Sequence, residues 1–122
     1  MTESNFTQSI HRLLPQEVYK WKINDRFTSG IPDSYYSGQK NDLWIEYKFI
    51  KELPVKRLIP KLSQLQLQWL NARYSEGRNV AVIVGSPQGS ILFKDKEWIA
   101  GKQPINFMSK RDVAHWITTS VA

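Results

Sequence analysis

The chain has 122 residues, 41% hydrophobic and 23% charged, with no cysteine and a formal net charge of +6. That length predicts one compact domain spanning residues 1–122, and the composition excludes a wholly disordered chain. The missing cysteine excludes a disulfide framework, a thiolate zinc site and a cysteine nucleophile, so any metal must be held by oxygen or imidazole.

Apolar residues at Phe6, Ile10, Leu13 and Leu14 predict a helix from Thr2 to Leu14, ended by Pro15. VYKWKI, residues 18–23, reads as a strand, and Asn24, Asp25 and Ser29-Gly30 mark a loop. Ser34–Ser37 and Asp42–Ile50 flank the turn-forming SGQKN and predict a hairpin. Residues 51–61, with two prolines and four basic side chains, read as an irregular loop. Leu62, Leu65, Trp69, Leu70 and Tyr74 predict a helix with its apolar residues on or near one face, Ser63 as N-cap and Gly77 as stop. Residues 79–86 are a continuous apolar run, predicted to be a buried strand, and SILFKD follows a Ser-Pro-Gln-Gly turn as another. Ser109 and Asp112 form a capping-box pattern for a last helix, Lys110 to about Thr119, with Val113, Trp116 and Ile117 facing inward. The order predicts an α/β fold, a mixed sheet of about five strands flanked by helices.

One strand carries chemistry. Residues two apart in a strand share a face, so Glu46 and Lys48 project together while Ile45, Tyr47 and Phe49 take the other side. Asp33 comes beside Glu46 if the two hairpin runs pair. Two converging carboxylates suit a hard divalent cation such as magnesium, which takes oxygen ligands together with substrate phosphate. The Tyr47 carbonyl is a further candidate ligand, and Lys48 is placed to orient or deprotonate a water and to offset phosphate charge. Taken alone, a Glu-x-Lys pair is more often a solvated ion pair.

Pro32, Asp33, Glu46 and Lys48 together resemble the PD-(D/E)xK nuclease signature. Gly30-Ile31-Pro32-Asp33, Trp44-Ile45-Glu46-Tyr47-Lys48, and then Leu62-Ser63 with Gln66 and Trp69 resemble its small VRR-NUC branch, over about residues 3–86. The resemblance implies a restriction-endonuclease-like core and a magnesium-dependent DNA endonuclease, with manganese able to substitute. It assigns metal binding to Asp33 and Glu46, catalysis to Lys48, and a place at the site to Gln66. Many relatives add an acid from the N-terminal helix, for which Glu3 is the candidate and Glu17 the rival. Gln64, Gln66 and Gln68 also fit a plain polar helix face.

Positive charge points to an anionic partner. Lys51, Lys56, Arg57 and Lys61 are candidate DNA phosphate contacts, with a solvated loop as the equal alternative. Trp21, Trp44, Trp69 and Trp116 read as core, Trp98 as exposed, and His11 and His115 as structural. No phosphate-binding glycine loop, nucleophile elbow, zincin motif or helix-turn-helix is present. No apolar run nears the roughly 18 residues of a membrane span, and MTESNFTQSIHRLL lacks signal-peptide regions, so the expected location is the cytoplasm. The size fits a phage or mobile-element protein. A homodimer is expected if both strands of a duplex or junction are cut, since one site cuts one strand. Structure-selective cutting of junctions or flaps suits a domain without a reading module. Two alternatives stand beside it, a small homing or restriction-type endonuclease and a non-catalytic nucleic-acid-binding protein of the same fold.

Overall fold

A computed structural model describes residues 1–24 and 29–122. The elements are α1 (Glu3–His11), β1 (Tyr19–Lys22), β2 (Ser34–Ser37), β3 (Asp42–Phe49), α2 (Gln64–Ser75), β4 (Val80–Ser86), β5 (Gly89–Phe93), α3 (Glu97–Ala100) and α4 (Lys110–Val121). The loop expected at Asp25 lies outside the described residues.

The five strands form one sheet in the order β1-β2-β3-β4-β5. β1, β2 and β3 run antiparallel, the last two joined by a short turn, whereas β3 and β4 are parallel and joined through α2. A parallel pair needs such a crossover, which is why the helical pattern stands between these two strands. β5 returns antiparallel to β4 through a tight turn. This is the expected α/β mixed sheet.

Each face of the sheet buries its own core. Phe6 and Ile10 of α1 and Val113 and Ile117 of α4 pack with Tyr36, Leu43, Ile45 and Tyr47 on one face. Leu70 of α2, Leu58 and Trp98 pack with Val80, Val82 and Val84 on the other. β4 therefore supplies both cores, and an uninterrupted apolar run is what a strand covered on both sides requires.

Helix ends follow local chemistry. Ser63 caps α2 by accepting the Gln66 N–H, and the Gln66 side chain returns the bond to the Ser63 N–H. Ser109 and Asp112 close the same reciprocal box on α4. Thr2 caps α1 through the Asn5 N–H, which makes Glu3 the first residue of that helix.

Several expectations are corrected. α1 stops at His11, and Leu13 is exposed while Leu14 is still buried. Leu65 is exposed, because α2 meets the sheet through Leu70 and rests its first turn on the loop before β2. The short α3 was not expected, since four residues are too few to display a helical period. It turns Trp98 inward, where its Nε1–H donates to Asn71 Oδ1 at 2.9 Å and its ring meets Tyr74 edge-on. Trp98 is thus core, whereas Trp21, read as core, is 47% exposed on the edge strand β1. His115 is exposed rather than structural. His11 is engaged: its Nε2 pairs with Tyr36 Oη at 2.8 Å, and Tyr36 Oη with Tyr47 Oη at 2.6 Å. Burial, then Lys20 and Lys22, push the His11 pKa down to about 4.

Candidate active site

The hairpin register builds the site. The last pair of the ladder is Ser34 with Ile45; continued, that register would set Asp33 level with Glu46 and Pro32 opposite Tyr47. Proline has no N–H to offer the Tyr47 carbonyl, so the β2–β3 ladder must stop there. The Asp33 side chain takes over on the other half of the pair, and its Oδ2 accepts the Tyr47 N–H at 3.3 Å. Within one extended residue the N–H and C=O point to the same strand edge, so the Tyr47 carbonyl faces the side on which Asp33 lies. The Tyr47 ring turns away into the core beneath α1, fully buried against Phe6.

Two close approaches hold this arrangement. Gly30 has φ +87°, and a Cβ there would fall 2.5 Å from the Leu65 carbonyl oxygen, so only glycine lets the loop before Asp33 rest on the first turn of α2. A Cβ at Gly85 would meet the Phe6 ring at 2.5 Å. That bare position seats Phe6 over β4, with its ring also against Tyr47 and Phe49. The start of α1 is thereby anchored beside the last half of β3.

Glu3 is delivered to the same place. One carboxylate oxygen from each of Glu3, Asp33 and Glu46 lies within 4.8 Å of the others. Glu17 is exposed and is not one of the three. Lys48 Nζ stands 3.5 Å from Glu46 Oε2, and Gln66 joins the pair by donating to Glu46 Oε2 at 3.2 Å and accepting from Lys48 at 3.3 Å. Gln66 is therefore both the N3 partner in the α2 capping box and a bridge across the acid and the base. Its neighbours Gln64 and Gln68 are exposed.

The electrostatics are unbalanced. Glu46 is 4% exposed, and burial followed by the Asp33 charge pushes its pKa up to about 8, against the pull of Lys48. Burial raises the Asp33 pKa to about 6, with the Tyr47 N–H opposing and Glu3 adding to the rise. Among the described residues, buried Asp33 Oδ1 has no hydrogen-bond donor. Three acids beside one lysine, one of them with an orphaned oxygen, form a hard-oxygen donor set short of positive charge. Such a set fits a divalent cation of the magnesium type.

The basic loop is elsewhere in character. Lys51, Lys56, Arg57 and Lys61 are all exposed, after the strand that carries Glu46 and Lys48. Arg57 donates to the Ala100 and Gly101 carbonyls at 2.9 and 3.3 Å, which gives it a structural task at the end of α3. The motif named Asp33, Glu46, Lys48 and Gln66 by position. What it did not reveal is the His11–Tyr36–Tyr47 chain that underlies β3, for which the only signal was a tyrosine in each strand on the core-facing side.

No family model matches the chain, and no curated protein matches it. Among solved structures it is similar to Hjc, a Holliday junction resolvase of the archaeal hyperthermophile Archaeoglobus fulgidus. The TM-score is 0.52 at 17% identity, over 93% of this chain and 97% of the other. A likeness at that identity concerns the fold alone: the chain has the restriction-endonuclease-like α/β fold.

Proposed function

We propose that this chain, built on the restriction-endonuclease-like fold, is a metal-dependent DNA endonuclease selective for branched structures such as junctions or flaps. The observation that carries the reading is the convergence of Glu3, Asp33 and Glu46 within 4.8 Å beside Lys48. The likeness to a Holliday junction resolvase supports the choice of DNA and of a branched substrate.

Asp33, Glu46 and Glu3 would hold magnesium, or manganese in its place, with the Tyr47 carbonyl as a further oxygen. When bound, the cation supplies charge stabilisation at the phosphoryl group and lowers the pKa of water. The chain's own residues do the rest. Lys48 orients the attacking water and offsets negative charge gathering on the phosphate oxygens. Gln66 fixes Lys48 relative to Glu46, so the ammonium is positioned before substrate arrives. Water adds in line to phosphorus, the bond to the 3′ oxygen breaks, and a proton passes to that departing oxygen. Lys51, Lys56 and Lys61 contact phosphates outside the cleaved bond, which orients DNA without reading its sequence. Two copies are required to cut both strands, with the two sites facing opposite strands.

The test is a cleavage panel of linear duplex, supercoiled plasmid, single strand, flap and four-way junction, with and without magnesium. Junction or flap cutting that needs magnesium and is lost in Asp33→Ala and Lys48→Ala is the expected result. Full magnesium-dependent cleavage by both variants would overturn the assignment. Cutting confined to one sequence in linear duplex would replace it with a site-specific endonuclease.

A further inference from the structure

The face of the sheet that carries Glu46 and Lys48 also carries a row of aromatic rings that the proposed chemistry does not use. Trp21 lies opposite Tyr35, and Tyr35 opposite Trp44, so all three project from that same face. Ring centroids follow at 6.5 Å from Trp21 to Tyr35, 4.6 Å from Tyr35 to Trp44 and 5.3 Å from Trp44 to Trp69 of α2. Arg73 closes the row with its guanidinium 5.6 Å from the Trp69 ring. The inner end is packed under α2, but the outer end is open: Trp21 is 47% exposed and Tyr19, on the same face, 59%. Trp44 and Glu46 are two residues apart on one strand, about 7 Å, and Trp21 is two strands further out, roughly 10 Å. The open rings thus stand within a few nucleotides' reach of the carboxylates.

We infer that the Trp21 end of this row seats an unpaired base of the strand held at the carboxylate site. The inference rests on the nuclease reading and supplies what that reading lacks, a feature that tells unpaired from paired DNA. Rings stack on any base, and a base inside a duplex has no free face to offer. Charge on the same strand suits a nucleic acid approaching the edge: Lys20 and Lys22 alternate with Tyr19 and Trp21 and project from the opposite face, where Lys22 Nζ donates to Ser4 Oγ at 2.6 Å, so they make the rim of the sheet positive from behind the rings. The same lysines argue against a second copy at this edge. Antiparallel self-pairing of β1 about Trp21 would set Lys20 of one copy opposite Lys22 of the other, a repulsive arrangement typical of protected edges.

The experiment is fluorescence anisotropy in EDTA, using a labelled short thymidine oligonucleotide and a blunt duplex of equal length. Trp21→Phe keeps a ring and Trp21→Leu keeps apolar packing without one, so both preserve the sheet edge. Trp21→Leu is expected to weaken oligonucleotide binding about tenfold, with duplex binding unchanged and Trp21→Phe close to wild type. Equal oligonucleotide affinity for the leucine and phenylalanine variants would overturn the inference. So would loss on both probes together with conversion of a dimer to a monomer in sedimentation, which would assign the edge to a second copy. Magnesium-dependent junction cleavage by the wild-type protein reports separately on the nuclease reading. No cleavage with the ring-dependent preference intact would sink that reading and leave the base-stacking surface standing.

Discussion

Asp33 takes its place from the main chain of Tyr47: one carboxylate oxygen accepts that residue's N–H at 3.3 Å, and the other is left buried without a donor. The same acid thus completes a strand pairing that Pro32 interrupts and offers an oxygen to the site. A substitution there should separate the two tasks. Asp33→Asn keeps an oxygen for the Tyr47 N–H while removing the charge. Its fold should persist in circular dichroism and its magnesium-dependent cleavage should fall to background.

Folded-state pKa values pushed up to about 6 for Asp33 and about 8 for Glu46 make metal-free stability depend on pH. Both are raised above the ordinary carboxylate values near 4, so between about 4 and 8 the folded state binds more protons than the unfolded one. Stability is fully present below that window and is lost as pH rises through it. In EDTA the melting temperature should therefore fall from pH 5 to pH 8. Magnesium should reverse the trend, because it binds the ionised set and its stabilisation grows as protons leave. A melting temperature in EDTA that climbs across this range would contradict the burial of these acids.

Gln66 serves the α2 cap and the site together, and Ser63 serves the cap alone. Ser63→Ala should cost about 1 kcal/mol in urea denaturation and leave cleavage within a few-fold of wild type. Gln66→Ala should lose similar stability but also about 10- to 100-fold in activity, the usual effect of removing a group that orients the residues at a metal.

Gly30→Ala adds a Cβ at positive φ and against the Leu65 carbonyl. It should destabilise by about 1–2 kcal/mol or more from the backbone conformation alone. Because the same loop carries Asp33, cleavage should drop even at temperatures where the protein remains folded, and activity measured well below the melting transition checks this.

Tyr36→Phe removes the middle hydroxyl of the His11–Tyr36–Tyr47 chain. The buried Tyr47 hydroxyl then loses its partner, and a loss of about 1–3 kcal/mol is expected in denaturant titration.

What was legible in the sequence follows from range. The hairpin, the Ser63 cap, the Ser109–Asp112 capping box and the buried strand are local patterns, and they stood out as period-two alternation, a serine ahead of a helical run, Ser-x-x-Asp, and an apolar run. Asp33, Glu46 and Lys48 were legible because a hairpin brings them together, and Gln66 only through the motif resemblance. Glu3 was only a candidate beside Glu17, because its arrival depends on Phe6 finding the gap at Gly85, a contact between distant segments. The tryptophans were misjudged for a related reason. Whether a ring is core depends on strand order, and the sequence does not say that β1 lies at an edge or that a short α3 folds Trp98 inward.

The early halt of β2 has a consequence for how such a pocket could be inherited or lost. Two more residues of ordinary pairing would give a more regular sheet, spending the Tyr47 amide and carbonyl on a neighbour and leaving the aspartate nothing to complete. A proline at position 32 forbids that repair, so the imperfection in the weave denies the Tyr47 carbonyl a partner there and leaves it on the edge where Asp33 lies.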